Sequence, residues 1–69
     1  MKKTIVIEFC PQWATETQEA INEALKLHRE GNNVELRPDT NLFHAECVGL
    51  LTTFKFYYSF SRNIFYLKK

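Results

Sequence analysis

The chain has 69 residues, of which 45% are hydrophobic and 25% charged, and its net charge is +1. This length fits one small domain with a thin core and leaves no room for a second. No apolar run approaches the roughly 18 residues of a membrane-spanning helix, and residues 4–7 are too short for a signal-peptide core, so we expect a soluble cytoplasmic protein without membrane contact. Two cysteines do not make a disulfide scaffold, and ten aromatic residues argue against disorder.

The charges are divided unevenly along the chain. Residues 1–53 carry a net charge of −3, whereas residues 54–69 contain four basic residues and no acidic one. Seven of the ten aromatic residues lie in the same last sixteen positions. We therefore expect a single domain over residues 1–69 with two parts: residues 4–53, and a basic aromatic segment at 54–69 that forms a strand or hairpin.

The first two elements are a strand and a helix. Residues 4–9 are rich in β-branched side chains, and Ile5, Ile7 and Phe9 share one face, which predicts a strand. Gly31 is expected to end the helix that follows in a left-handed conformation. The helix is predicted from apolar residues at helical spacing, which are Ala20, Ile21, Ala24, Leu25 and His28.

Two starts for this helix fit the sequence. In one, Thr15 is the N-cap and Gln18 completes a capping box. In the other, Pro11 is the first helical residue, the helix covers about residues 11–30, and Cys10 becomes the N-cap. We favour the second start, because it extends the apolar stripe back to the beginning of the helix.

Only strands are predicted after the helix. Phe43, Ala45 and Cys47 alternate with polar neighbours, as in a half-buried strand, and Gly49 offers a tight return. The resulting order, β-α-β-β-β, predicts an α+β domain of two layers, in which one main helix covers one face of the sheet and much of the other face is open. The predicted strands are residues 34–37, residues 42–48, an aromatic stretch from 50 to 60 that breaks at 61–63, and a short strand at 64–67.

Part of this pattern resembles a known family. The matching segments are the strand ending at Cys10, the turn Cys10-Pro11-Gln12-Trp13, the helix to Glu30, and the strand 34–38 with Thr40 and Phe43 after it. Over roughly residues 4–48 the chain resembles the selenoprotein W-like family, which has a thioredoxin fold. The resemblance implies a thioredoxin-like sheet in which the third strand lies antiparallel beside the first, and a redox thiol at Cys10.

The chain departs from the family at three places. Trp13 stands where the family has its second redox residue, Asn41-Leu42 stands where a glycine pair is expected, and the aromatic segment replaces a closing helix. Because tryptophan cannot resolve a mixed disulfide, the resemblance implies a monothiol that completes its cycle with glutathione or a partner thiol.

Cys10 is the candidate catalytic residue, with Pro11, Trp13 and Thr40 near it. A thiol at a helix N-cap faces unpaired amide groups, which favour the reactive thiolate. The alternative is that Cys10 is a small buried residue at the end of a strand. In a thioredoxin-like sheet, Cys47 ends the third strand at the edge opposite Cys10, too far for a disulfide, so we expect Cys47 to be a core residue.

No metal or cofactor site is expected. Four residues are of metal-ligating types, but none is paired at the spacing of a metal motif; they are Cys10, His28, His44 and Cys47. The sequence contains no glycine-rich phosphate loop and no Gly-x-Ser-x-Gly motif. The carboxylates Glu16, Glu19 and Glu23 are expected on a solvated helix face.

The aromatic segment 54–69 has three interpretations. Its aromatic side chains pack in the core, form an interface with a protein partner or a second copy, or stack nucleic-acid bases. Phe54, Phe56 and Tyr58 are expected on one strand face, with Lys55 on the other and Arg62 in the break. These five are the candidate interface or binding residues.

The leading hypothesis is therefore a small thioredoxin-like protein with a monothiol redox or regulatory role through Cys10. The alternative is a module without enzymatic activity that binds a protein or dimerises through the aromatic strand face. A nucleic-acid binder is the less favoured third hypothesis, because aromatic residues on a strand are usually core and an exposed patch of them more often marks a protein interface.

Overall fold

A computed structural model describes residues 3–67 as a four-stranded sheet with two helices. The order of the strands across the sheet is β1-β2-β4-β3. The α+β class with one main helix is thus confirmed. The elements in chain order are β1 (Thr4–Phe9), α1 (Ala14–Arg29), β2 (Asn33–Pro38), α2 (Ala45–Thr53), β3 (Phe56–Ser59) and β4 (Ile64–Leu67).

The sheet is mixed, because a helical crossover joins its first two strands and a hairpin joins its last two. β1 and β2 are parallel, in a continuous register that runs from Thr4 opposite Asn33 to Phe9 opposite Pro38. β4 lies between β2 and β3 and is antiparallel to both. β1, β2 and β3 therefore all run in the same direction.

The hydrophobic core lies between one face of the sheet and the helices. Each strand alternates between this inner face and an open outer face, where Val6 and Tyr57 are exposed. Burying this apolar set is the main term that stabilises the fold. The buried core residues include Phe9, Ile21, Ala24, Val34, Leu36, Leu51, Phe56 and Phe65.

The first helix begins between the two predicted starts, three residues after Pro11 and two residues before the start that a Thr15 N-cap would give. Its N-cap is Trp13, and the preceding residues form a turn in which the Trp13 N–H donates to the carbonyl of Cys10 at 3.3 Å. Pro11 is fully buried in this turn, and its carbonyl accepts a hydrogen bond from the N–H of His44 at 2.9 Å. The start at Pro11 was wrong, because a tertiary contact from a distant segment uses that carbonyl. Cys10 is therefore not the N-cap.

The predicted third strand, residues 42–48, was also wrong. Residues 42–44 are irregular, and residues 45–53 form α2, so Gly49 lies inside a helix and makes no return. Cys47 and Leu51 are four residues apart and both buried. This spacing places them on one face of a helix, just as alternation would place residues on one face of a strand. The side chain of His44 caps α2 by accepting the Glu46 N–H at 3.1 Å.

The C-terminal segment forms a hairpin. Its strands are shorter than the predicted stretch from 50 to 60, since that stretch begins inside α2. Lys55 and Asn63 have positive φ values of 64° and 52° and mark where β3 is entered and where the turn before β4 ends. The predicted break at 61–63 and the strand at 64–67 are confirmed.

The sheet order differs from the one that the resemblance implied. In the described residues β1 pairs with β2 alone and lies at an edge, whereas a thioredoxin-like sheet places an antiparallel strand beside the first. Cys47 is fully buried, as expected for a core residue, but on α2. Cys10 and Cys47 therefore do not end strands at opposite edges of the sheet, and both cysteines are free thiols.

Candidate functional site

Three loops meet at one edge of the sheet. Because β1, β2 and β3 run in the same direction, their carboxyl ends lie together, and we call this side of the molecule the carboxyl edge. The N–H of Asp39 donates to the carbonyl of Phe9 at 2.9 Å, so the loops after β1 and β2 are joined there. Ligand sites of open sheets commonly form at this position, where loops diverge over the strand ends.

The carboxyl edge carries an unusual amount of exposed apolar surface. Phe60 is 90% exposed, Leu42 66% and Trp13 65%. Soluble monomers seldom leave several large apolar side chains uncovered on one side. We call this surface the apolar patch, and it consists of Trp13, Leu42, Phe43, Val48, Tyr58 and Phe60.

Two open grooves run through the apolar patch and share Phe43. One has a volume of about 340 Å³ and lies between Trp13 and the loop after β2. The other has a volume of about 290 Å³ and is lined by apolar side chains almost throughout. The first is lined by Gln12, Trp13, Leu42, Phe43 and His44, and the second by Phe43, Val48, Tyr58, Phe60 and Phe65.

Aromatic contacts hold the patch in place. Tyr58 contacts both Phe60 and Phe65, with ring centroids 4.8 and 4.7 Å apart. Phe43 packs edge-on against Tyr58 and Phe65 at 5.9 Å, and the Tyr58 hydroxyl is hydrogen-bonded to Asn63. Since Phe65 belongs to the core, these aromatic contacts join the grooves to the hydrophobic core.

Three acidic residues lie close in the chain to residues of the apolar patch. Glu16 lies in the first turn of α1, Asp39 directly after β2, and Glu46 in the first turn of α2, and all three are exposed. The two ion pairs of the described residues lie elsewhere: Glu8 with Arg37, and Glu35 with Arg62. We call Glu16, Asp39 and Glu46 the acidic rim, and none of them forms an ion pair with a basic side chain in the part of the chain described.

Cys10 also lies at the carboxyl edge, but its setting differs from the predicted one. The thiol is half-buried, and Cys10 precedes the N-cap of α1 by three residues. The backbone N–H of Cys10 donates to the carboxylate of Glu16 at 3.3 Å, and its carbonyl accepts from the hydroxyl of Thr17 at 3.4 Å. The thiolate argument from the helix N-cap thus loses its basis, and the redox role of Cys10 stays a prediction.

The predicted neighbours of Cys10 all lie at the same edge. Pro11 is buried, Trp13 is exposed beside the first groove, and Thr40 is half-buried. The hydroxyl of Thr40 accepts the Leu42 N–H at 3.3 Å, which shapes the loop that presents Leu42. Trp13 thus belongs to the apolar patch, and Thr40 shapes the loop that presents Leu42 to it.

Only one of the five predicted interface residues lines the patch. Tyr58 does so, whereas Phe56 is a buried core residue and Phe54 is the half-buried C-cap of α2. Lys55 is exposed at the turn before β3, and Arg62 is committed to Glu35 by a 3.0 Å ion pair. The expectation that Phe54, Phe56 and Tyr58 share one strand face holds for Phe56 and Tyr58, which lie on the inner face of β3, and fails for Phe54, which precedes the strand.

Sequence reasoning missed Phe60, the most exposed large hydrophobic residue of the described part of the chain. Phe60 directly precedes the break at 61–63. Its position beside a turn was the signal from which its exposure could have been predicted. Leu42 follows the predicted turn at 38–41 and carried the same signal.

Residues 3–67 contain no group of three or more His, Cys, Asp or Glu side chains that could hold a metal ion. Neither described helix is long and apolar enough to cross a membrane. No protein-family model, curated protein or solved structure matches the chain.

Proposed function

We propose that this protein is a small protein-binding domain whose apolar patch takes an amphipathic segment of a partner protein. The observation that carries the proposal is the joint exposure of Phe60, Leu42 and Trp13 around grooves that the aromatic core holds in place. A surface that is already held in place loses little conformational entropy when a partner binds, and this increases the affinity.

The burial energy supports an interface of this kind. A fully buried aromatic side chain removes about 150–250 Å² from water, which at about 25 cal/mol/Å² amounts to about 4–6 kcal/mol before the costs of association. Phe60 is almost fully available for such burial, and Trp13 and Leu42 are available for most of it. Aromatic anchors of this size carry most of the affinity in known interfaces.

The charges favour one class of partner. The acidic rim formed by Glu16, Asp39 and Glu46 complements a segment that places Lys or Arg beside its apolar stripe. The same rim repels phosphates, and Arg62 is paired with Glu35 on the outer face of the sheet, so the charges support a protein partner over a nucleic acid. The proposed occupant is a basic amphipathic helix.

The chain contains its own reporter for this proposal, because Trp13 is its single tryptophan and lies in the patch. The probe is a synthetic helical peptide with a leucine stripe flanked by lysines. We expect it to shift the emission of Trp13 to the blue in a saturable way, because it replaces water at the indole. Phe60→Ser and Leu42→Ser are each expected to weaken binding about tenfold or more, corresponding to about 1.4 kcal/mol.

Matched controls separate the patch from general stickiness. Tyr57→Ser removes an exposed aromatic ring from the outer face and should leave peptide binding unchanged. A peptide with the same residues scrambled should give no saturable shift, and one with glutamates in place of the lysines should bind more weakly. If the leucine-lysine peptide produces no shift, or binds Phe60→Ser as well as the wild type, the proposal is wrong. A Trp13 shift that follows protein concentration without peptide would instead assign the patch to a second copy.

A further inference from the structure

β1 presents an open hydrogen-bonding edge. The Asn33 N–H donates to the carbonyl of Lys3, and the Asp39 N–H donates to the carbonyl of Phe9, both at 2.9 Å. These two bonds lie at the two ends of the parallel ladder. They show that the odd-numbered residues of β1 direct their N–H and C=O groups toward β2. Thr4, Val6 and Glu8 therefore direct their N–H and C=O groups away from the sheet, and all three residues are exposed.

This edge lacks the usual features that prevent pairing with another strand. Exposed edges are commonly short, or carry lysine, proline or a bulge. β3, at the opposite edge, is short, with four residues. β1 has six residues in unbroken register, contains no proline or lysine, and is rich in β-branched side chains.

We propose that β1 pairs antiparallel with β1 of a second copy about a two-fold axis at Val6, so that two four-stranded sheets become one continuous sheet. In this register Val6 faces Val6 of the second copy, and Thr4 faces Glu8. Each outward-facing residue then exchanges both backbone hydrogen bonds with an outward-facing residue of the other copy. If the register shifts by two residues in either direction, at least one of Thr4, Val6 and Glu8 no longer faces an outward-facing β1 residue of the second copy.

The side chains are also complementary in this register. A two-fold axis perpendicular to the sheet keeps both inner faces on the same side, so Ile5 lies opposite Ile7 of the second copy at about 4.5 Å between Cα atoms. Ile5 and Ile7 are only half-buried in the single chain, and the pairing covers their exposed parts. Glu8 faces Thr4 instead of another Glu8, which avoids opposed like charges. These features favour a second copy over an unrelated strand.

The dimer is distinct from the proposed function. β1 lies at one edge of the sheet, whereas Tyr58 and Phe60 of the apolar patch lie on and beyond β3, at the other edge. The dimer uses residues of β1, none of which belongs to the apolar patch, so either proposal can fail while the other holds.

Sedimentation at protein concentrations from about 1 µM to about 1 mM tests the dimer, because this range covers micromolar to millimolar dissociation constants. We expect wild type to pass from its 8.2 kDa monomer mass to twice that value. Val6→Pro removes an N–H that points away from β2 and leaves the β1–β2 ladder intact, so it should stay monomeric and folded. Val6→Thr keeps the N–H and the branched side chain and should still dimerise. Circular dichroism checks the fold of each variant.

Charge substitutions at Val6 test the register. Val6→Lys and Val6→Glu each oppose like charges across the axis, so each alone should lose dimerisation at least tenfold, and an equimolar mixture should recover it. Thr4→Lys, which faces Glu8, should tighten the dimer severalfold. A monomer throughout the range, or a dimer that Val6→Pro does not weaken, overturns the proposal. A dimer that only Phe60→Ser abolishes would place self-association at the patch instead.

Discussion

Gly31 and Gly49 occupy opposite kinds of backbone conformation. Gly31 follows the C-cap of α1 with φ of +100°, a conformation that L-amino acids with a side chain adopt only at a cost. Gly49 lies inside α2, and a Cβ added there would meet no atom within 4 Å. One glycine is thus required by the backbone, and the other only weakens its helix.

Alanine substitutions should therefore change stability in opposite directions. Gly31→Ala should lower the free energy of unfolding by about 1–2 kcal/mol, because alanine is strained at positive φ. Gly49→Ala should raise it by about 0.5–1 kcal/mol, because alanine has the higher helix propensity. Urea denaturation measures both. A loss of stability in Gly49→Ala would contradict the assignment of residues 45–53 to a helix.

Cys10 shows how much the chemistry of one residue depends on its neighbours. The sequence placed it correctly at the end of β1, beside Pro11 and Trp13. Its predicted reactivity required the helix to begin at Pro11, and the contact of His44 with the Pro11 carbonyl could not be read from local pattern. The test that remains for the redox hypothesis is the pH dependence of thiol alkylation, compared between wild type and Cys10→Ser.

At the scale of elements, α2 is the part that local pattern did not predict. Residues 42–48 alternate as a strand does, and the deciding features are the caps and the burial of Cys47 and Leu51 on one helical face. The hydroxyls of Thr52 and Thr53 bond to carbonyls four residues back, at 2.9 and 2.8 Å, as helical threonines do. α2 then packs against both α1 and β3 and completes the helical layer.

Two leucines on either side of the start of α2 should respond differently to truncation. Leu51 is 1% exposed, and Leu51→Ala should cost about 2–5 kcal/mol of stability, because it leaves a cavity in the core. Leu42 is mostly exposed, and Leu42→Ala should change stability by less than about 0.5 kcal/mol while weakening peptide binding. Chemical denaturation and Trp13 fluorescence measure the two effects. Equal losses of stability would contradict the burial of Leu51.

At the scale of the whole molecule, the order of the strands separates two surfaces. β1 lies at one edge with its hydrogen-bonding groups open, and the hairpin carries Tyr58 and Phe60 to the other edge. In a dimer built through β1, the two apolar patches would be presented independently. This arrangement predicts a bivalent protein.

Occupancy of the patch should therefore leave dimerisation unchanged. Sedimentation with a saturating amount of the leucine-lysine peptide should give the same dimer dissociation constant within about twofold, since surfaces that share no residues couple weakly. Val6→Pro should in turn bind the peptide as wild type does. A tenfold change in either measurement would show that the two surfaces overlap.

The sequence by itself determined the class of the domain, the strand at 4–9, the left-handed end of the first helix at Gly31 and the turn at 61–63. Each of these depends on side chains that are close together in the chain. Only the tertiary structure decided that residues 45–53 are helical, that β1 is an edge strand, and that Phe56 is buried while Phe60 is exposed. These features depend on which distant segments meet, and alternation, spacing and propensity carry no information about that.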